Sequence, residues 1–111
     1  VTVKSIKLKY TGDELADISS MWLYTSFQKE SVYYQPASLV GGEYTFQPDL
    51  AVQAEESNYL DLLIYFLAPP SSVGNKHSLE ISGDQDILTD DGVVEGGFPL
   101  KTPSLILGVE D

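Results

Sequence analysis

The stretch SGDQDILTDDG, residues 82–92, holds acidic side chains that could bind a cation. Four aspartates fall within eight positions: Asp84, Asp86, Asp90 and Asp91. Asp84 and Asp86 have the spacing that begins an EF-hand loop, but Leu88 occupies the third ligand position and Thr89 the position that requires glycine. An irregular calcium site built from the four aspartates and backbone carbonyls is one hypothesis. Asx turns in a solvated loop of an acidic protein are the other, and the sequence favours them.

Acid–base catalysis needs groups that the sequence does not place together. Glycosidases use two carboxyls that face each other across a cleft, and carboxylates from one loop do not provide this geometry. His77 is the single histidine, no G-x-S-x-G elbow is present, and there is no cysteine to complete a zinc site. Because His77 begins a predicted strand, we expect it at the surface. The sequence therefore predicts a protein that is not an enzyme.

Aromatic side chains raise a different chemistry, the binding of sugars on flat rings. The rings that could form such a platform are Trp22, Tyr24, Tyr33, Tyr34 and Tyr44. Trp22 and Tyr24 share one face of their predicted strand, so they are exposed or buried together. The alternative is that the single tryptophan anchors the core, which is the more common arrangement in sandwiches. Asp61, inside the apolar run YLDLLIYFL, is expected to face solvent.

Composition limits the partners. The 111 residues are enough for one domain spanning 1–111, and 42% of them are hydrophobic. The net charge is −11, with six lysines and no arginine. Nucleic acid and anionic membranes are therefore disfavoured as partners, whereas a basic protein or a divalent cation is compatible with this charge. No run reaches the ~18 apolar residues of a membrane span, so no membrane insertion is expected. The opening residues read as a strand and not as a signal peptide, which suggests a processed chain or a module of a longer one.

A period of two dominates the chain and indicates β-strands. Ile6, Leu8 and Tyr10 alternate with lysines, while Val1 and Val3 are out of phase with them, which predicts a bulge or a sheet-switching bend near residue 5. The predicted strands cover residues 4–10, 16–26, 31–35, 43–47, 59–67, 77–82, 92–98 and 104–109. A turn is predicted at residues 41–42, a weak helical turn at 51–56, and a central position for the strand 59–67.

Seven to eight short strands without a convincing helix predict an all-β fold. The pattern favours an immunoglobulin-like antiparallel β-sandwich. A small closed barrel is the alternative architecture.

The opening VTVKSIKLKYTGDELADISSMWLYTS resembles β-sandwich modules of bacterial exported and surface proteins, such as the immunoglobulin-like N-terminal domain associated with BNR-repeat sialidases. The resembling pattern is a strand, a small polar turn, the dipeptide Asp17-Ile18 and an alternating strand that ends in Tyr24-Thr25. The run YLDLLIYFLAPPSSVGNKHSLEISG is similar to the later part of these modules. The resemblance covers roughly residues 1–82. The acidic calcium loop that some surface repeats carry after the Tyr strand is absent, because FQKES stands there.

The resemblance implies an exported location (extracellular, cell-surface or periplasmic) and an accessory role without catalysis. Such a module would contact a protein partner or other domains of a larger surface protein, as a structural or adhesion domain. Two alternatives remain open. One is a carbohydrate-binding module that uses Trp22 and Tyr24 or Tyr33 and Tyr34, and the other is a calcium-stabilised surface repeat.

Overall fold

The chain folds into two antiparallel β-sheets packed face to face, which confirms the expected sandwich. The structure, a computed structural model, describes residues 1–27, 30–52, 59–66, 73–90, 94, 96–102 and 104–106. No helix within these ranges is long and apolar enough to cross a bilayer. The only helical segments described are two 3-10 turns, at Leu15–Asp17 and Asp84–Asp86.

The described strands are short, apart from the first two. In chain order they are β1 (Thr2–Gly12), β2 (Ile18–Phe27), β3 (Glu30–Tyr34), β4 (Pro36–Val40), β5 (Glu43–Phe46), β6 (Leu50–Ala51), β7 (Asp61–Phe66), β8 (Lys76–Ile81), β9 (Ile87–Thr89), β10 (Leu100–Lys101) and β11 (Leu105–Ile106). The large sheet has the order β10-β8-β1-β5-β4, with β6 and β9 also paired to β1 and β11 paired to β8. The small sheet has the order β3-β2-β7.

Strand β1 organises the large sheet because β5, β6, β8 and β9 all pair with it. Its pairing with β9 shifts register between Val3 and Ser5, so the predicted irregularity near residue 5 is confirmed. Beyond the shift, Ile6 and Leu8 are buried, and Lys7 and Lys9 are exposed on the outer face. The alternation in the sequence therefore maps directly onto the two faces of this sheet.

The core lies between the sheets and is built from both of them. Its buried members are Ile6, Leu8, Met21, Leu23, Tyr44, Phe46 and Leu79. Phe46 is completely buried, and burial of a side chain of this size stabilises the fold by about 1.5–3 kcal/mol. Within β2, Met21 and Leu23 enter the core, so the residues between and beyond them must face outward.

The hairpin between β4 and β5 forms as the glycine pair predicts. Gly41 and Gly42 have φ angles of +59° and +78°. Two successive positive φ angles characterise the two-residue turn that matches the twist of paired strands, and glycine adopts them without strain. This turn places Tyr44 and Phe46 on the inner face of the large sheet.

Two predictions on strand position are wrong. The run 59–67 was expected to form a central strand, but β7 pairs only with β2 among the described residues, and Asp61 and Tyr65 are exposed. The reason is that β7 is the edge strand of the small sheet, and alternate residues of β7 point to the solvent-exposed outer face of this sheet. The strand predicted at 92–98 is not formed by the described residues of that range, and β10 follows it at Leu100–Lys101. β11, at Leu105–Ile106, lies within the predicted strand 104–109, of which residues 107–109 lie outside the described residues. Most of the predicted helical turn at 51–56, residues 53–58, lies outside the described residues.

Candidate functional site

Aromatic side chains cover the outer face of the small sheet. Five residues, called here the aromatic face, lie on this side of β2, β3 and β7: Trp22, Tyr24, Tyr33, Leu63 and Tyr65. Strand alternation places them there, because their neighbours Met21, Leu23, Leu62 and Ile64 pack inward on the core. Tyr33 and Tyr65 are 54% and 57% exposed, whereas Trp22, Tyr24 and Leu63 are half-buried.

Strand register brings these residues side by side. In the pairing of β2 with β3, Tyr24 lies opposite Tyr33. In the pairing of β2 with β7, Trp22 lies opposite Leu63, and Ser20 lies opposite Tyr65. Directly opposed and diagonal residues of an antiparallel pair are close enough for aromatic rings to touch. The face is therefore one contiguous surface across all three strands.

The rings stand at angles to one another and leave a slot between them. The ring centroids of Trp22 and Tyr33 are 6.4 Å apart and the ring planes are at 88°, an edge-to-face pair. The centroids of Tyr24 and Tyr33 are 5.1 Å apart at 46°. Trp22, Tyr33, Leu63 and Tyr65 line a cavity of about 190 Å³ that opens to solvent. We call this cavity the slot.

Polar groups border the aromatic face. The hydroxyls of Tyr24 and Ser31 lie 3.3 Å apart and form a hydrogen bond. Asp61 is exposed at the end of β7 opposite Tyr24, so the expectation that it faces solvent is confirmed. The five described lysines (Lys4, Lys7, Lys9, Lys76 and Lys101) belong to strands of the large sheet, and Lys29 lies outside the described residues.

A second cavity, the edge cleft, adjoins the aromatic face at Trp22. It forms because the chain leaves the small sheet after Tyr34 and enters the large sheet at Pro36, so that β3 pairs only with the second half of β2. The cleft has a volume of about 460 Å³ and lies between the first half of β2 and the edge strand β4. Its lining is Ile18, Ser19, Ser20, Met21, Trp22, Gln35, Pro36, Ala37, Ser38, Leu39 and Tyr44.

The structure divides the aromatic residues singled out from the sequence. Trp22, Tyr24 and Tyr33 come together on the outer face. Tyr34 is half-buried against the core, so Tyr33 and Tyr34 do not form a shelf, because adjacent residues of a strand point to opposite sides. Tyr44 is buried, and this burial raises the pKa of its hydroxyl. Tyr65 was not among the ligand residues that the sequence suggested, although its even spacing from Asp61 places both residues on one face.

Polar residues also form a cluster inside the protein. This buried polar cluster consists of Tyr10, Asp17, Asn75 and His77. The Tyr10 hydroxyl lies 2.6 Å from His77 Nδ1, and the Asn75 amide donates to Asp17 Oδ2 at 3.0 Å. His77 Nε2 lies 3.4 Å from Asp17 Oδ2, a distance that suits an ion pair but is long for a hydrogen bond. Burial raises the pKa of Tyr10, and the Asp17, Asp13 and Glu14 carboxylates act in the same direction, while a backbone hydrogen bond at Glu14 opposes them.

The expectation that His77 lies at the surface is wrong. Its side chain is 2% exposed and packs against the Phe66 ring, with centroids 5.1 Å apart. The physical reason is strand parity: His77 is two residues before Leu79, which is in the core, so both side chains point inward. Enclosed in this way, His77 and Asp17 link β8 to the 3-10 turn Leu15–Asp17.

Two of the aspartates of residues 84–91 accept hydrogen bonds from the backbone. Asp86 Oδ2 accepts from Ser82 N at 3.1 Å, and Asp90 Oδ1 accepts from Thr2 N at 2.7 Å. Asp84 is exposed at the start of its 3-10 turn, and Asp91 lies outside the described residues. In the part of the chain that the structure describes, no three acidic or histidine side chains are grouped closely enough to hold a metal ion. Calcium binding by this loop stays a prediction.

The molecule thus has two arrangements of candidate residues, one open to ligands and one enclosed. The aromatic face and the edge cleft are accessible, and they share Trp22. The buried polar cluster joins elements of the fold. Comparisons of the chain with family models, with curated proteins and with solved structures find no match, so the resemblance to sialidase-associated modules stays a prediction.

Proposed function

We propose that this chain is a non-catalytic binding module and that the aromatic face holds its ligand. The observation that carries the proposal is the exposure of Tyr33 and Tyr65 around the slot, next to the half-buried Trp22. Single exposed apolar residues are common on proteins, but a contiguous aromatic surface marks a binding site. Tyrosine and tryptophan are also the residues that contribute most to binding, because they offer large rigid surfaces with a polar tip.

The acid–base groups support a binding role over a catalytic one. His77 and Asp17 form the histidine–carboxylate pair of the chain, and their side chains are 2% and 4% exposed. Each has its neighbours within the fold, Tyr10 for the histidine and Asn75 for the aspartate. A catalytic base must reach the substrate proton within hydrogen-bond distance, directly or through one water. The aromatic face itself has only Asp61 as a described acidic group, without an opposing carboxylate.

The module belongs, in this proposal, to an exported or cell-surface bacterial protein. The resemblance of residues 1–82 to modules of such proteins supports this location. An accessory or adhesion domain needs a rigid scaffold that presents a surface, and two packed sheets with a ligand face on one of them supply it.

Binding to coated surfaces tests this function. Labelled chain is added to surfaces that carry desialylated mucin, called mucin below, or purified bacterial cell wall. The Tyr33→Ala/Tyr65→Ala double variant removes both exposed rings, and a Leu88→Ala/Ile106→Ala variant removes two exposed apolar residues of the large sheet as the matched control. We expect the parent and the control to bind alike and the aromatic variant to lose most of the binding. Equal binding by all three proteins, or binding by none, would contradict the proposal.

A further inference from the structure

Trp22 connects two cavities of different chemistry. On one side its ring lines the slot, together with Tyr33, Leu63 and Tyr65. On the other side it lines the edge cleft, beside Ser20 and Met21 of its own strand. The two cavities therefore lie next to each other on either side of Trp22, and we call the surface from β4 past Trp22 to β7 the path. An elongated ligand that follows this path meets the tryptophan near its middle.

The edge cleft offers neutral hydrogen-bonding groups beside apolar ones. Its polar lining residues are Ser19, Ser20, Gln35 and Ser38. Hydroxyl and amide groups can both donate and accept hydrogen bonds, so they suit ligand hydroxyls, which do the same. Apolar residues also line the cleft, notably Leu39, which is 47% exposed. A chain of sugar rings presents this combination, with hydroxyls at the ring edges and C–H groups on the ring faces.

Charge restricts the ligand further. Among the described residues, no lysine lines either cavity, and Asp61 lies at the border of the aromatic face. With a net charge of −11 for the chain, an acidic ligand would be repelled from this surface. A basic peptide would meet a single carboxylate among the described residues of this surface, that of Asp61. Binding of a charged ligand normally relies on a patch of opposite charge. The path therefore suits an uncharged ligand.

Concave shape favours a narrow ligand over a protein surface. The edge cleft, with a volume of about 460 Å³, is within the range of small-molecule sites, roughly 300–1,000 Å³, and the adjoining slot of about 190 Å³ is smaller. A flat protein interface has an apolar centre with polar groups at its rim. Here the polar residues line the open cleft itself, with Ser19, Gln35 and Ser38 exposed, and the exposed rings of Tyr33 and Tyr65 lie beside it on the sheet.

We propose that the ligand is a neutral oligosaccharide, which lies with hydroxyls in the edge cleft, one ring against Trp22, and a further ring in the slot beside Tyr33 and Tyr65. This inference rests on the proposed function, since it names the ligand class of the same face. Rings that stand at angles, as Trp22 and Tyr33 do, suit a glycan whose successive sugars are rotated relative to each other.

The fluorescence of Trp22 provides the first test, because it is the only tryptophan. The chain is titrated with xylopentaose, cellopentaose, chitopentaose and poly-N-acetyllactosamine, and with uronic-acid oligomers of the same length as acidic comparators. Calorimetry on the same samples detects binding that leaves the emission unchanged. We expect at least one neutral oligosaccharide to saturate the signal, and the acidic comparators to bind more weakly. Absence of saturable binding to every neutral oligosaccharide in both methods would overturn the inference.

Variants then locate the site. Tyr33→Ala removes a ring of the slot and is expected to weaken binding by about fivefold to tenfold. Ser38→Val removes a cleft hydroxyl on the exposed strand β4, keeps a strand-forming residue, and is expected to weaken binding about fivefold. Leu88→Ala, on the large sheet, should bind as the parent does. Unchanged affinity in both site variants would place the sugar elsewhere and refute the path described here.

Surface treatment separates this inference from the proposed function. Mucin-coated surfaces are treated with periodate, which destroys vicinal diols of sugars, or with protease, which removes exposed polypeptide. We expect periodate to abolish binding. Binding that survives periodate and is lost after protease would refute the oligosaccharide while leaving the module's ligand-binding role intact, with strand addition at β4 as the explanation. If the chain does not bind the untreated surfaces and the titrations detect no binding, both the oligosaccharide ligand and the ligand-binding role of the module are refuted.

Discussion

The aromatic face and the buried polar cluster distribute residue types in opposite ways. On the small sheet, Tyr33 and Tyr65 leave more than half of their surface in water. At the end of the large sheet, His77 and Asp17 are almost fully withdrawn from water. Burying an aromatic ring favours folding, whereas burying polar groups is unfavourable unless they are hydrogen-bonded. The two regions therefore differ in how far the chain itself buries its aromatic rings and hydrogen-bonds its polar groups.

The buried polar cluster meets the hydrogen-bonding requirement in part within the chain. Tyr10 and Asn75 supply hydrogen bonds to His77 Nδ1 and Asp17, while the buried His77 Nε2 has no hydrogen-bond partner and lies 3.4 Å from Asp17 Oδ2. On the aromatic face, Trp22 and Tyr33 meet edge to face and Tyr24 and Tyr33 meet at 46°, but Tyr33 and Tyr65 keep more than half of their surface open to water. A ligand would complete that packing. We therefore expect substitutions in the cluster to change stability and substitutions on the face to change binding.

The largest effect is expected for Asp17→Ala. The change removes the carboxylate that accepts from Asn75 and lies beside His77. Loss of one partner of a buried polar pair leaves the other groups desolvated, so the free energy of unfolding should fall by about 3 kcal/mol. Urea unfolding measures it. Asp17→Asn keeps an oxygen acceptor and should lose less. A fall below about 0.5 kcal/mol for Asp17→Ala would show that the cluster does not stabilise the fold.

A smaller loss is expected for Tyr10→Phe. The substitution keeps the ring but removes the hydroxyl that lies 2.6 Å from His77 Nδ1. An imidazole nitrogen left without its partner in the interior should lower the free energy of unfolding by about 1–2 kcal/mol. Tyr59→Phe is the matched control, since Tyr59 is 81% exposed and its hydroxyl is in water. Equal stability of the two variants would argue against the hydrogen bond.

Alkaline unfolding should depend on the inward-facing tyrosines. The pKa values of Tyr10 and Tyr44 are raised above 10.0, mainly by burial. The folded state therefore holds these protons more tightly than the unfolded state. Their contribution is complete below about pH 10 and is lost as the pH rises through the higher folded values. Tyr44→Phe should make the decline of stability above pH 10 shallower than in Tyr59→Phe. An identical decline in the two variants would contradict the raised pKa of Tyr44.

The smallest effect on stability is expected on the aromatic face. Tyr33→Ala and Tyr65→Ala remove exposed rings that contribute little to the core. Each should change the free energy of unfolding by no more than about 0.5–1 kcal/mol, in part because alanine is a poorer strand former than tyrosine. Urea unfolding of each variant checks this. Tyr33→Thr restores a strand-forming residue without a ring, and it should recover most of any loss.

Strand alternation explains which features could be read from the sequence. The two-layer fold, the bulge in β1, the glycine turn and the grouping of Trp22 with Tyr24 all follow from local patterns. The same rule places Tyr65 on the face of Asp61. It also places His77 on the inner face with Leu79, although we expected the lone histidine at the surface. For His77, the position within the strand was therefore the better guide.

The remaining features depend on contacts between distant parts of the chain. Tyr10 and His77 are 67 positions apart, and Asn75 and Asp17 are 58 positions apart. No local pattern pairs them, because strand order decides which residues meet. The edge cleft has the same origin, since it exists only where the chain passes from the small sheet to the large one at Gln35 and Pro36.

The most direct test measures stability and surface binding together in one pair of variants. Tyr33→Ala/Tyr65→Ala and Asp17→Asn are each assayed by urea unfolding and by binding to mucin at a temperature where both remain folded. We expect the first variant to lose binding and keep its stability, and the second to lose stability and keep binding. If Tyr33→Ala/Tyr65→Ala unfolds readily and Asp17→Asn loses binding, the roles of the aromatic face and the buried polar cluster are reversed, which contradicts the proposed binding site.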